Sequence, residues 1–205
     1  MRIVMLGAPG SGKGTLASKI CELYRIPHIS TGEILRNEVK NETPIGIEIK
    51  EIMTSGKLVP DSLIIDITKN RISESDCKNG FILDGFPRTI EQAKALEKIT
   101  SIDLVVSIRI SNEKVVERIA GRRTCPTCGE IYHTSWHKEN TCSKCNSKLV
   151  QRDDEKTETV LDRLVVFEKQ TAPLVQFYEK MGNLIWVDSG NTAEETFREF
   201  QTKLS

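Results

Sequence analysis

Several things are scarce in this 205-residue chain, and each scarcity excludes something. Aromatic residues make up 5%, with two Trp, three Tyr and six Phe. There is little here for a stacking platform on single-stranded nucleic acid. Net charge is absent as well: 29 basic residues balance 29 acidic ones, so no global field draws the chain to polyanions or acidic membranes. No stretch nears the ~20 apolar residues of a membrane span. The N-terminal apolar run Ile3-Val4-Met5-Leu6 is too short for a signal peptide, and an intracellular, most simply cytoplasmic, setting is the expectation. There is no internal repeat, no low-complexity tract and no Ser-His-Asp or Cys-His nucleophilic set. What remains, 38% hydrophobic and 28% charged, is the composition of a soluble globular protein, long enough for one domain with insertions.

The most informative segment is Gly7-Ala-Pro-Gly-Ser-Gly-Lys-Gly-Thr15, which leaves the first apolar run directly. The spacing Gly7-x4-Gly12-Lys13 is that of a phosphate-cradling loop between a buried strand and a helix. Glycines let backbone N–H groups turn inward around phosphate oxygens, and the helix N-terminus adds partial positive charge. Gly14 stands where Ser or Thr is usual, and the hydroxyl comes one residue later at Thr15. The bland alternative, an ordinary tight strand-to-helix turn, does not account for the lysine.

Apolar runs at residues 2–6, 80–84, 103–110 and 184–188, with a shorter one near 27–30, alternate with helical periodicity at 13–24, 61–73, 89–98, 112–120, 157–180 and 193–204. The alternation predicts an α/β fold of three layers: a five-stranded parallel sheet with right-handed crossovers and helices on both faces. Two regions break it. Residues 31–60 read as two short helical stretches and a turn, and residues 121–153 are poor in aliphatics. Both are expected to project from the core. The expected division is a core of 1–29, 60–120 and 154–205, an insertion over 30–59 and a second over 121–153.

The second insertion carries Cys125, Cys128, Cys142 and Cys145 as two C-x-x-C pairs with 13 residues between them. Two such knuckles commonly hold tetrahedral Zn²⁺. Gly129 and Asn146 follow the second cysteine of each pair, where a positive φ closes the turn. Four thiolates leave no open position, so the expected zinc is structural, and His133 and His137 read as solvated loop residues. The same segment could be a nucleic-acid-binding ribbon, with Arg122, Arg123, Lys138, Lys144 and Lys148 as its basic face. Glu130, Glu139, Asp153, Asp154 and Glu155 dilute that face. Cys21 and Cys77 read as buried structural thiols.

Phe81-Ile82-Leu83-Asp84 is an apolar strand ending in an acid; beside a phosphate loop such an Asp holds Mg²⁺ directly or through water, and otherwise it would cap the next helix. Arg88 follows it, Arg36 lies in the first insertion, and Arg118, Arg122, Arg152 and Arg163 flank the second. Taken singly each reads as a surface residue or an ion-pair partner; their placement around both insertions favours a shared grip on phosphate.

The loop of residues 7–15, the segment Ile29-Ser-Thr-Gly-Glu-Ile-Leu-Arg36 and the segment FILDGFPRTIEQA at 81–93 resemble adenylate kinases in order and spacing, over essentially the entire chain. The cysteine insertion is similar to the zinc-containing lid of the long bacterial type. The resemblance implies Mg²⁺-dependent transfer from ATP to AMP, giving two ADP; a monomer is expected because one chain contains every required part, and charge and composition lead to no expected nucleic-acid or membrane partner. It implies that Gly10, Ser11, Gly12, Lys13, Gly14, Thr15, Arg118 and Arg122 bind ATP. Thr31, Arg36, Lys57, Leu58, Val59, Gly85, Arg88 and Gln92 would bind AMP, with Thr31 and Gln92 facing adenine. Lys13, Asp84, Arg88, Arg122, Arg152 and Arg163 would be catalytic, and Asp154 would engage the closed lid. Glu155 departs from the Asp more common there, which leaves it without a firm role. Kinases for UMP, CMP or GMP, and a zinc-ribbon nucleic-acid-dependent ATPase or nucleotide sensor, are the competing readings.

Overall fold

The central apolar runs form strands buried on both sides, and the runs at 27–30 and 184–188 form edge strands that are only partly buried. In the computed structural model, which describes residues 1–204 apart from the Thr157 side chain, β1 (Arg2–Gly7), β2 (His28–Ser30), β3 (Phe81–Asp84) and β4 (Leu104–Arg109) join a later strand in one sheet. Ser205, the last residue of the expected core, lies outside the described residues. The helices of the first half are α1 (Lys13–Tyr24), α2 (Thr31–Lys40), α3 (Pro44–Thr54) and α4 (Asp61–Ile72). Then come α5 (Ile90–Ile99), α6 (Asn112–Gly121), the small strands β5 (Arg122–Thr124) and β6 (Ile131–His133), α7 (Thr157–Val166), α8 (Pro173–Met181), β7 (Leu184–Asp188) and α9 (Ala193–Leu204). Strand order is β2-β3-β1-β4-β7, parallel throughout.

Alternation along each strand divides the core. Val4, Leu6, Leu83 and Val105 face one way and meet Ile64 of α4, Leu96 of α5 and Leu174 and Tyr178 of α8. Ile3, Met5, Ile82 and Val106 face the other and meet Leu16 and Ile20 of α1 and Phe200 of α9. Each fully buried aliphatic side chain contributes roughly 1.5–3 kcal/mol by leaving water. The sheet is therefore rigid, and its carboxyl edge is a fixed platform for the loops after β1 and β3. Among the described residues, no helix is long and apolar enough to cross a membrane.

One expected element differs. The helix read over 157–180 is broken: α7 stops at Val166, a π-type turn covers Phe167–Thr171, and α8 begins at Pro173. Proline has no N–H and clashes inside a helix, and the wide turn, with Ala172 N–H bonded to the Phe167 carbonyl at 2.8 Å, brings the chain to it. Helix α2 and helix α3 pack on each other, and β5 and β6 form a separate antiparallel pair beyond α6. Cys77 is buried as expected, but Cys21 is only partly so.

Candidate active site

The phosphate loop leaves β1 at Gly7 and enters α1 at Lys13, as the glycine spacing requires. Gly12 caps the helix at φ 96°, a conformation that costs an L side chain energy and costs glycine little. The Lys13 ammonium donates to the carbonyls of Gly7 at 2.7 Å and Ala8 at 2.8 Å, so it is folded onto its own loop rather than extended. Burial, only partly opposed by Asp84 and reinforced by Arg88, Arg163 and Arg122, pushes its pKa down to about 8. The Ser11 hydroxyl is buried inside the loop without a partner, facing Gly7 rather than an opening. Gly10 packs against Ile119, and Thr15 is exposed on the first turn of α1. Gly14 faces Asp84 Oδ2, which a Cβ there would meet at 3.4 Å.

Asp84 ends β3 beside the lysine. Burial works against its charge, yet His28, Lys13 and Arg88 outweigh burial and hold the carboxyl below the ordinary carboxylate range. His28 Nε2 is 3.4 Å from Asp84 Oδ2. After Asp84, Gly85 turns the chain at φ 87°, with no room for a side chain: a Cβ would lie 2.8 Å from Thr31 Oγ1 and 2.9 Å from Arg88 Nη2. Arg88 Nε donates to the Gly85 carbonyl at 2.8 Å, and the π-type turn brings the Thr171 hydroxyl to the Arg88 carbonyl at 2.9 Å.

Two cavities open at this edge. One, of about 580 Å³, is lined by all eight residues expected to bind the monophosphate: Thr31, Arg36, Lys57, Leu58, Val59, Gly85, Arg88 and Gln92. Leu35, Met53 and Ile64, which sequence reasoning did not single out, supply its apolar wall, and Asp154 and Arg163 close one side. The other, of about 520 Å³, is lined by Gly7, Pro9, Lys13, Phe167 and Thr171. Gly85, Arg88 and Arg163 line both.

Gln92 is less free than the sequence suggests. Its Oε1 accepts the Arg88 N–H at 2.7 Å and its Nε2 donates to Asp61 Oδ1 at 2.7 Å. One N–H and one lone pair remain for a ligand. Asp61 also accepts from the Thr89 hydroxyl at 2.9 Å. Nothing in the sequence marks Asp61 beyond its place at the start of α4.

The arginines flanking the cysteine segment are held by neighbouring acids. Asp154 accepts from Arg163 Nη1 at 2.7 Å. Glu155 is buried and accepts from Arg122 Nε at 2.6 Å, with Arg122 Nη2 against the same oxygen and Arg152 Nε at 3.7 Å. The residue with no firm role in the sequence is therefore the common anchor of two arginines. Arg118 lies apart, donating to Ser189 Oγ at 2.7 Å, the Gly190 carbonyl at 2.6 Å and the Ser11 carbonyl at 3.3 Å. It ties the phosphate loop to the turn after β7.

The four cysteines could hold a metal ion: their sulfurs all lie within 4.8 Å of one another. Separations of 3.4 Å for Cys125–Cys145 and 3.5 Å for Cys128–Cys142 approach the edge of about 3.8 Å that Zn–S bonds of ~2.3 Å impose on a tetrahedron. The knuckles repeat one another. Gly129 N–H bonds Cys125 O and Asn146 N–H bonds Cys142 O, while Cys125 N–H and Cys142 N–H bond the carbonyls of Glu130 and Ser147. Gly129 and Asn146 have φ of 76° and 58°, as the spacing predicts. The donor set fits zinc. The histidines are a correction: both are half-buried rather than solvated. His133 packs on Gly121, and the His137 ring lies 4.3 Å from Tyr132, because a segment this poor in aliphatics builds its interior from rings.

Sequence comparison agrees with the geometry. The family model of adenylate kinase matches residues 5–183. An adenylate kinase of Acetivibrio thermocellus is 48% identical, covering 100% of this chain and 98% of its own. One from Caldicellulosiruptor bescii is 50% identical over 90% of each chain. A third, from Clostridium tetani, is 47% identical, covering 100% and 98%. A phosphate loop beside a second cavity, and similarity along the full chain, lead to one conclusion: the chain belongs to the adenylate kinase family, the nucleoside monophosphate kinases.

Proposed function

We propose that this chain transfers a phosphoryl group from ATP to AMP, giving two ADP, directly and in line. The observation that carries the reading is the pair of cavities sharing Arg88 and Arg163 as a common wall. Lys13 stands on one side, and Thr31, Arg36 and Gln92 on the other. Phosphoryl transfer asks little covalent chemistry of a protein; positioning and charge neutralisation carry it. Lys13 moves from the Gly7 and Ala8 carbonyls to the donor phosphates, exchanging two neutral acceptors for anionic ones. Arg36 and Arg88 hold the acceptor phosphate, while Arg122, Arg152 and Arg163 neutralise charge on the group in transit. Gln92, pinned by Asp61, offers its remaining N–H and lone pair to adenine. Asp84 would orient the water shell of Mg²⁺, which supplies charge neutralisation on the phosphates when bound.

Residues 30–59 and 121–153 serve as two covers, one over each nucleotide, which exclude the water that would otherwise accept the phosphoryl group. Zinc held by Cys125, Cys128, Cys142 and Cys145 is structural and orders the second cover. One chain lines both cavities, which supports a working monomer, and six cysteines without a disulfide suit a reducing cytoplasm. The deciding experiment is a coupled assay with ATP and a panel of AMP, GMP, CMP and UMP. ADP formation that depends strongly on AMP supports the proposal. A preference for another monophosphate, or hydrolysis stimulated by DNA or RNA, overturns it.

A further inference from the structure

The cysteine segment has a small interior of its own, made of Cys125, Tyr132, Cys142 and Leu149. Tyr132 is its only large side chain, 4% exposed, with the rings of His137 and Trp136 at 4.3 and 5.7 Å. Burying a phenol requires its hydroxyl to be satisfied. The Tyr132 hydroxyl lies 3.3 Å from Cys142 Sγ and 2.9 Å from Ser143 Oγ, and it accepts the Ser143 N–H at 3.1 Å.

A phenolic hydroxyl has one proton and two lone pairs. The Ser143 N–H occupies one lone pair. The Ser143 hydroxyl can occupy the other as a donor, whereas a metal-bound thiolate can only accept. The assignment that satisfies every group therefore runs from Ser143 O–H to Tyr132 O–H to Cys142 Sγ. We infer that Tyr132 is a positioning residue of the metal site, whose hydroxyl donates to the Cys142 thiolate and holds that ligand in the tetrahedron. Groups of this kind outside the ligand shell tune both retention of the metal and electron density on the ligand. The other knuckle differs: Cys125 Sγ faces the Cys128 N–H at 3.5 Å and has no hydroxyl among the described residues. Tyr132 also sits on β6, opposite Arg123 of β5, so the same side chain joins the second knuckle to the strand that begins at Arg122.

The inference rests on the zinc reading, and its test separates the two. Co²⁺ is loaded into the full chain in place of zinc, and the sulfur-to-cobalt charge-transfer band is recorded for wild type, Tyr132→Phe and Ser143→Ala. Tyr132→Phe keeps the ring and removes only the hydroxyl. Loss of the hydrogen bond raises the energy of the sulfur lone pair, so the band moves to lower energy. Retention of zinc against a competing chelator falls about tenfold. Ser143→Ala, at an exposed position, shifts the band the same way by less. An unchanged band and unchanged retention in both variants overturn the assignment to Tyr132. A wild-type chain that gives no four-thiolate cobalt spectrum overturns the metal reading itself, and with it this inference. If Tyr132→Phe does not fold, Ser143→Ala decides alone: a band and zinc retention like those of wild type overturn the role.

Discussion

Lys40 at the end of α2 donates from Nζ to the carbonyl of Pro126, inside the first cysteine knuckle, at 3.0 Å. The same knuckle comes near Glu33, whose Oε1 would lie 3.7 Å from a Cβ added at Gly129. The two proposed covers thus meet along one face of α2, at a carbonyl inside the first cysteine knuckle. An exposed hydrogen bond contributes about 0.5–1.5 kcal/mol. Lys40→Met should therefore raise KM for AMP roughly two- to tenfold, with melting temperature unchanged, and lengthen the mean distance between fluorophores placed on the two segments. Lys40→Arg, which keeps a donor, should restore most of the effect. A Lys40→Met enzyme with wild-type KM and distance would show the contact to be incidental.

Gln92 depends on Asp61 for its orientation. Without that carboxylate the Nε2 group loses its partner, and the carboxamide is held at one end only, by the Arg88 N–H on Oε1. Asp61→Ala should cost about 1–3 kcal/mol of AMP binding, read as a rise in KM for AMP, with little change in KM for ATP. It should also narrow the ratio of kcat/KM between AMP and GMP, because a carboxamide held only at Oε1 presents its donor and acceptor to the base less sharply. Equal increases in both KM values would point to general loosening of α4 instead.

Lys13 gives a pH signature. Its free pKa, lowered to about 8 by burial and then by the neighbouring arginines, must rise when anionic phosphates arrive. Below about pH 8 the lysine is charged before and after binding, and no proton moves. Above it, binding takes up a proton, and affinity for ATP falls by up to tenfold per pH unit until the bound-state pKa is reached. The nucleotide phosphates, with a second pKa of about 6, are already ionised in that range. Calorimetry at pH 8.5 in two buffers of different ionisation enthalpy should detect the uptake. Lys13→Met should abolish it, and uptake that persists in Lys13→Met would assign the proton to another group.

The sheet and the phosphate loop were legible in the sequence because local rules govern them. Strands buried on both faces need continuous apolar runs, and the loop needs glycines at fixed spacing. The knuckles were legible for the same reason: Gly129 and Asn146 follow their cysteines and supply the positive φ that the turns require. The π-type turn at 167–171 was hidden, since Val166, Phe167 and Leu174 continue a helical pattern and only Pro173 interrupts it. Asp61 and Glu155 were hidden more deeply. Their partners Gln92 and Arg122 lie 31 and 33 residues away, so no local spacing marks the pairings; Asp61 lies outside any motif, and Glu155 reads only as a departure from the Asp more common at its position. The histidines read as solvated because four thiolates already complete a tetrahedral site, and that count of ligands carries no information about the packing of the His137 ring on Tyr132.

Glu155 carries the sharpest stability prediction. Its carboxylate lies against both Arg122 and Arg152, and the Arg152 pKa is depressed by burial first and by Arg122 next. Glu155→Gln keeps the shape and removes the charge, leaving two largely buried cations to repel each other. Removing one partner of such a buried ionic set costs about 3–5 kcal/mol, or roughly 6–20 °C in melting temperature for a chain of this size. If the site is built to receive phosphates, an anion should supply what the carboxylate no longer does. Tripolyphosphate should therefore raise the melting temperature of Glu155→Gln by several degrees more than that of wild type. Equal gains in the two proteins would mean that Glu155 is a packing residue and that its arginines do not face the phosphate path.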